Sequence, residues 1–373
     1  MGADSLTTPA FWNDPAPFAA GNFPDRIPDI TELSGHVLFE TSGSTGTPKW
    51  IALSKDALLA SAAAVNAHLG VTKSSCWGLA LPAHHVGGFG VAARAFAAGC
   101  AIREFGKKWN PAEFTIWLGE NQVTHTSLVP TQVHDLVSAE LRAPESVAAI
   151  VVGGGRLDEA TGQAARNLGW PVLASYGMTE AGSQIATQPP ASLAGIYQPA
   201  PIPLLPVWRA ELSPEGKLRI AGPALFSGVL VCENGAWVFK RRESEWHQTE
   251  DRVLVEDDKL TPLGRGDSLV KVMGELVDPE EIERELVTLS QGMLAPGSFI
   301  IAAIPDARTE HALLPVFDSR VDPALVKRTL NFHQKTAPGF RRLKPVMILD
   351  DFPRSPLGKP LRAEITARCV SSA

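Results

Sequence analysis

Short apolar runs alternating with helical patterns constrain this chain more than any other feature. Cys76-Trp77-Gly78-Leu79-Ala80-Leu81, Ala149-Ile150-Val151-Val152 and Pro171-Val172-Leu173-Ala174 each read as a buried strand. Ser54 to Leu69 reads as a helix with Ser54 as N-cap and an alanine-rich body, Val86 to Ala98 as a small-residue helix, and Asp158 to Leu168 as a third. Strands that alternate with helices in this way predict an α/β fold with parallel strands, because parallel neighbours need a crossover.

The character changes after about residue 200. Leu218-Arg219-Ile220, Gly228-Val229-Leu230-Val231 and Ala236-Trp237-Val238-Phe239 are short β segments between Gly and Asn turns. Gly264-Arg265-Gly266-Asp267 then interrupts the chain, as suits a hinge. Beyond it come a helix over Asp278 to Leu289, a strand over Ser298 to Ile304, a helix over Pro323 to Lys335 and a strand over Pro345 to Leu349. A chain of 373 residues exceeds what one core usually supports. The expectation is a large α/β N-terminal domain over residues 1–264, β-rich from about 200, and a small mobile α+β C-terminal domain over 265–373. The Pro-, Asn- and Asp-rich opening of roughly 30 residues reads as an extended surface arm.

Composition excludes several classes. With 45% hydrophobic and 20% charged residues the chain is neither disordered nor membrane-like, and a net charge of −6 gives no sign of a nucleic-acid partner. Four scattered cysteines without a CxxC pair, and no histidine pair at zinc spacing, fit a reducing compartment. Met1 to Asn13 lack the features of a signal peptide, Leu6 breaks a myristoylation signal, and no apolar run approaches the ~18 residues of a membrane span. A cytoplasmic protein is expected, with its oligomeric state, a homodimer included, left open.

Four segments carry chemistry. Thr41-Ser42-Gly43-Ser44-Thr45-Gly46-Thr47-Pro48-Lys49 places five hydroxyls and two glycines between Val37-Leu38-Phe39 and Trp50-Ile51-Ala52-Leu53. A tight loop there offers N–H groups, hydroxyls and one ammonium to an anion such as a triphosphate, although a polar hairpin turn has the same composition. It is not a Walker loop, since no Gly-Lys-Ser/Thr occurs. Ser175-Tyr176-Gly177-Met178-Thr179-Glu180 follows a strand end, where ligands of open α/β sheets bind. Thr179 can donate to a phosphate, Glu180 can hold Mg²⁺, and Tyr176 offers a flat face; a helix cap is the plain alternative. Asp251, with Arg265 fourteen residues on, can accept two hydrogen bonds from a ribose diol or belong to a surface charge cluster. Pro353-Arg354-Ser355-Pro356-Leu357-Gly358-Lys359 fixes a lysine in a constrained loop, suited to an electrostatic clamp, although an isolated basic loop is ordinarily tail decoration.

In this order the segments resemble the adenylate-forming superfamily of acyl- and aryl-CoA ligases, adenylation domains and luciferases, over roughly residues 35 to 365. Gly-Arg-x-Asp with Lys271, Gly274 and Pro279-Glu280-Glu281-Ile282-Glu283 adds to the match. The resemblance implies two steps: a carboxylate attacks the α-phosphate of ATP to give an acyl-adenylate and pyrophosphate, then a thiol, usually that of coenzyme A, displaces AMP. It implies that Lys359 bridges the acid and the α-phosphate, that Thr179 meets phosphate and that Glu180 binds Mg²⁺. Thr41 to Lys49 would form the pyrophosphate loop, Gly153-Gly154-Gly155 the adenine side, Asp251 and Arg265 the ribose pair, and Asp267 the hinge. Ser175, Tyr176, Gly177, Met178, Lys271 and Gly274 are further nucleotide-side residues by the same resemblance.

Three departures stand out. Glu250 replaces the family's usual glycine beside the ribose aspartate, Gly228-Val229 replaces a common Gly-Tyr, and only a short arm precedes the phosphate loop. Thr126-Ser127-Leu128-Val129-Pro130-Thr131-Gln132 and Leu81-Pro82-Ala83-His84-His85-Val86-Gly87-Gly88 are similar to segments of the o-succinylbenzoate–CoA ligases of menaquinone biosynthesis. In that reading His85 and Gly177 line the acid pocket, with His85 facing the second carboxylate directly, through water, or only lining the mouth. Another aryl- or acyl-CoA ligase, a carrier-loading adenylation domain and a non-catalytic AMP-binding protein are the alternatives.

Overall fold

The computed structural model describes all residues except 1, 25, 43–47, 266–268, 274, 307, 356–357 and 372–373, and only the backbone of 42, 48 and 265. The fold is α/β, with four sheets among the described residues. Five parallel strands form the central sheet in the order Ala101–Glu104, Cys76–Leu79, His125–Leu128, Ala149–Val152 and Val172–Met178; Ser183–Thr187 adds an antiparallel edge. Cys76–Leu79 and Ala149–Val152 are buried along their whole length, which is why apolar residues run through them without alternation; His125–Leu128 is equally buried although His125, Thr126 and Ser127 are polar.

The helices begin and end where side chains cap them. Ser54 Oγ accepts from the Ala57 N–H at 3.1 Å, and Gly70 closes the helix Lys55–Leu69 in the left-handed region. Helix Val86–Ala98 enters tightly over the preceding turn: a Cβ on Gly88 would stand 2.3 Å from the Pro82 carbonyl oxygen.

The β-rich segment divides between two sheets. Hairpin Gly228–Glu233/Ala236–Arg241 joins His36–Ser42 and Pro48–Ser54 in a five-stranded sheet, through the register Gly228–Ala52, Val229–Ile51 and Leu230–Trp50. Lys217–Ala221 belongs to an antiparallel sheet with Arg209–Leu212, His247–Glu256, Lys259–Arg265 and Ile202–Pro203. The C-terminal sheet pairs Phe299–Asp306 with Glu310–Asp318, which Met347–Leu349 joins in parallel; helices Pro279–Leu289 and Pro323–Thr336 start at the capping carboxylates of Asp278 and Asp322. It has its own cores, one around Ile282, Phe299 and Phe317 and another around Ile300, Phe352 and Ile365.

The opening segment is not a loose surface arm. Short helices Ala3–Leu6 and Pro9–Asn13 bury Leu6 and Trp12; the Trp12 ring stacks on Phe96 at 5.3 Å, and its Nε1–H donates to the Leu6 carbonyl at 2.8 Å. The Lys55 ammonium donates to the Phe11 and Asp14 carbonyls, both at 2.6 Å. Aromatic side chains outweigh the turn-forming composition that suggested an arm. Trp12→Ala should therefore lower unfolding stability by roughly 3 kcal/mol in urea titration; a loss below about 1 kcal/mol would mean the segment is only loosely seated.

Candidate active site

Val172–Met178 runs four residues past Ala174, because it pairs with Ser183–Thr187 as a hairpin. Ser175, Tyr176, Gly177 and Met178 thus lie on a strand, and the loop beyond it shrinks to Thr179-Glu180-Ala181-Gly182. At Gly177, a Cβ would sit 1.6 Å from the Ser183 carbonyl oxygen, so only glycine lets the two strands close. The turn is wedged from two sides: Phe226 N–H donates to the Glu180 carbonyl at 2.8 Å and Ser61 Oγ to the Gly182 carbonyl at 3.0 Å.

Tyr176 hydroxyl donates to Asp251 Oδ2 across the gap between the central and antiparallel sheets. Asp251 lies directly opposite Arg265 in the ladder, so backbone register alone brings the expected ribose pair together. Glu250 stands on the other face of its strand with no positive φ, and its carboxylate meets Lys217 Nζ at 2.6 Å. A glutamate in the usual glycine's place is accommodated because it points away from Asp251.

The remaining pieces converge on a residue that sequence reasoning did not single out. His247 starts the strand carrying Asp251, with the Phe226 ring edge-on at 4.9 Å. Burial pulls its imidazole below the usual histidine range; Glu180 opposes this, Lys49 and Arg242 add to it, and Asp251 again opposes it. Lys49, Glu180 and Asp251, from three distant segments, therefore act on one imidazole. Lys49 pairs with Thr41, whose Oγ1 is 3.4 Å from the Lys49 carbonyl, at the turn end of the hairpin His36–Ser42/Pro48–Ser54; Gly43, Ser44, Thr45 and Gly46 lie outside the described residues and Ser42 is described in backbone only. Among the described residues no three His, Cys, Asp or Glu side chains form a metal cage. One carboxylate beside a phosphate site is still a donor set that suits Mg²⁺, which takes phosphate oxygens and water for the rest.

Gly153, Gly154 and Gly155 follow the strand Ala149–Val152, and Gly154 needs its glycine because φ is +74°. The turn abuts the Tyr176 strand: Ser175 Oγ donates to the Val152 carbonyl at 2.9 Å and lies 3.2 Å from where a Gly153 Cβ would be. Lys359 is exposed on its loop, whose Gly358 lies against Thr131. Lys359, Thr131, Gly154 and Gly155 all line one groove of about 1310 Å³. Lys271 stands apart, exposed on the strand Val270–Val272 with its carbonyl 3.1 Å from His311 Nδ1; Gly274 and Asp267 are outside the described residues.

His85 precedes helix Val86–Ala98, its ring 4.3 Å from that of His84. Burial, then His84, pushes it down to about 4, so at neutral pH it is an uncharged imidazole and cannot supply the cation for a charge-assisted contact. A second basic side chain, Arg94, lies on the same helix and is 1% exposed. Its guanidinium donates to Ser127 Oγ at 3.1 Å and Ser183 Oγ at 3.3 Å and lies over the Trp77 ring at 5.2 Å. Among the described residues no carboxylate pairs with it, and burial pulls it down to about 10. Its own Nε and the Nε1 of the Trp77 beneath it are buried without partners. The sequence did hold a signal: helix Val86–Ala98 has no polar face on which an arginine could sit.

A sequence model of the family described as AMP-binding enzyme matches residues 16–230. The chain belongs to the AMP-binding enzyme family. It is 32% identical over 282 residues to the 2-succinylbenzoate–CoA ligase of Escherichia coli (strain K12), an alignment covering 74% of this chain and 56% of that protein. The chain spans just over half the length of such curated relatives. The same fold occurs in o-succinylbenzoate CoA synthetase (MenE) from Bacillus subtilis in complex with the acyl-adenylate intermediate OSB-AMP, with TM-score 0.73 and 23% identity over 88% of this chain and 68% of that one. ATP-bound MatB from Rhodopseudomonas palustris shares it equally, with TM-score 0.73 and 23% identity over 90% and 68%.

If Asp251 is the nucleotide's anchor, removing its hydroxyl partner loosens it. Tyr176→Phe should weaken ATP binding roughly 10-fold in calorimetry, the scale of one hydrogen bond to a charged group, and Asp251→Ala should weaken it further. Wild-type affinity in both variants would exclude the pair from the nucleotide site.

Proposed function

We propose that this chain activates a carboxylic acid with ATP as an acyl-adenylate and passes the acyl group to coenzyme A, and that o-succinylbenzoate is the acid. The observation that carries the ligase reading is the gathering of Lys49, Glu180 and Asp251 around His247, with Tyr176 seated on Asp251. Three segments far apart in sequence there offer an ammonium, a metal-binding carboxylate and a diol acceptor at one place.

In the first step the acid's carboxylate oxygen attacks the α-phosphorus and the bond to pyrophosphate breaks. Asp251 and Arg265 hold the ribose, Gly153 to Gly155 give the adenine a flat edge, and the hairpin end from Thr41 to Lys49 receives the pyrophosphate. Thr179 donates to a phosphate oxygen. Glu180 would hold Mg²⁺, which supplies charge neutralisation on the phosphates. Lys359 meets the two anions and stabilises the charge growing between them. In the second step the thiol sulfur bonds to the acyl carbon and AMP leaves. The segment from 265 onward is proposed to turn about Asp267 between the steps.

Arg94 supports an acid with two carboxylates. A buried guanidinium satisfied only by hydroxyls is costly until an anion pairs with it, and the aromatic carboxylate of o-succinylbenzoate is such an anion. A monocarboxylic acyl chain would leave that charge unmatched. Likeness to ATP-bound MatB concerns the fold alone and does not choose among acids. Incubation with ATP, coenzyme A and a panel of acids, reading AMP release and thioester mass, separates this ligase from one for another acid and from a nucleotide-binding protein without activity.

Two substitutions sharpen the test. Lys359→Ala should slow adenylate formation roughly 10²–10³-fold while sparing thioester formation from preformed acyl-adenylate; equal damage to both steps would give the lysine another role. Arg94→Met should leave urea stability unchanged or raised, because it deletes an unmatched buried charge, while kcat/KM for o-succinylbenzoate falls at least ~10-fold. Loss of stability with unchanged kcat/KM would make Arg94 a packing residue.

A further inference from the structure

The loop that carries Lys359 is closed on itself. Ser355 N–H donates to the Lys359 carbonyl at 2.8 Å, Gly358 N–H to the Ser355 carbonyl at 2.8 Å, and Leu361 N–H to the Pro353 carbonyl at 3.0 Å. Lys359 N–H donates to Ser355 Oγ at 3.2 Å. Backbone bonds of this kind set the loop's shape but not its seat on the domain.

Arg354 supplies the seat. One guanidinium nitrogen donates to the Gly358 carbonyl at 3.0 Å and to the Gly297 carbonyl at 2.7 Å; the other donates to Asp318 Oδ2 at 3.0 Å. Its plane lies over the Phe352 ring at 5.1 Å. The Asp318 side chain is 3% exposed at the end of the strand Glu310–Asp318, and Arg320 also donates to it. Gly297 lies flat against the loop, since a Cβ there would be 3.2 Å from Pro360 Cδ. On the far side Arg362 is anchored to Glu280 at 3.3 Å and to Glu283, whose Oε1 accepts from Ile301 N–H at 2.6 Å.

We propose that Arg354, anchored by Asp318, is a positioning residue for Lys359: it grips the carbonyl of the residue before the lysine and so fixes where the ammonium is presented. The inference rests on the adenylation role of Lys359 given above. A lysine has a long flexible stem, and its use in a transition state depends on how little its base moves. A guanidinium fork can hold two carbonyls and a carboxylate at once, whereas a lysine offers only a point charge.

The test uses the full chain with Arg354→Met, Arg354→Lys, Lys359→Ala and the double variant Arg354→Met/Lys359→Ala. Hydrogen exchange should quicken at the amides of Ser355, Gly358, Lys359 and Leu361 in Arg354→Met, while the strand Phe299–Asp306 keeps its protection. Acid-dependent pyrophosphate exchange at saturating ATP should fall roughly 10- to 100-fold, with KM for ATP within about twofold, as expected for a displaced catalytic group. Thioester formation from preformed acyl-adenylate should be retained, Arg354→Lys should recover only part of the loss, and the double variant should be no slower than Lys359→Ala. Unchanged loop protection, parallel loss of both half-reactions, additive loss in the double variant, or collapse of strand protection would each overturn the proposal. Absence of acid-dependent exchange in the wild type would instead sink the ligase reading, and amide exchange would still decide whether Arg354 orders the loop.

Discussion

Between the central and antiparallel sheets the Tyr176 hydroxyl meets the Asp251 carboxylate, and the candidate site is arranged around that contact. The contact needs a strand that continues to Met178, and that strand needs a glycine at 177, because the opposing Ser183 carbonyl occupies the space of any side chain. From there the rest follows by short links. Ser183 hydroxyl touches Arg94, Ser175 touches the Gly153 turn, and the Thr179–Gly182 turn meets Phe226 and Ser61. A side chain at 177 would therefore disturb both the Asp251 contact and the Arg94 contact.

Local pattern carried far for elements with strong boundaries. Helices Lys55–Leu69 and Val86–Ala98 were legible because a capping residue or a turn precedes them and a left-handed glycine ends them. Strands Ala149–Val152 and Phe299–Asp306 were legible as apolar runs between turns. Strand Glu310–Asp318 was not, since Pro315 in its middle argues against a central strand; the structure tolerates it because the flanking chain pairs with Leu313 and from Val316 onward, leaving Pro315 between the two. The partnership of Gly228–Arg241 with Pro48–Ser54 was invisible too, as strand pairing across such a separation leaves no local mark.

The candidate site divides along the same line. Motif residues announced themselves by type and spacing: Asp251 and Arg265 lie opposite one another, and Lys49, Glu180 and Asp251 share an electrostatic neighbourhood. Residues that act by burial did not. The sequence offered His85 as a residue to face a carboxylate or to line the pocket mouth; desolvation leaves it neutral, while the buried charge of Arg94 lies two and a half turns further on. Burial and partner count are properties of the packed molecule, and they decide which polar group is available to a ligand.

The sheet that carries the hairpin His36–Ser42/Pro48–Ser54 also has a history in time. Its next strand, Gly228–Glu233, comes after the whole central sheet in the chain. At ~5–20 residues per second a ribosome needs on the order of 10–35 s to bridge that interval. Throughout it the apolar edge Trp50-Ile51-Ala52-Leu53 has no ladder partner on one side, the kind of edge that recruits strands from other chains. The hairpin is thus a segment of the nascent protein that a chaperone would shield, and it stays so until residue 230 has left the exit tunnel.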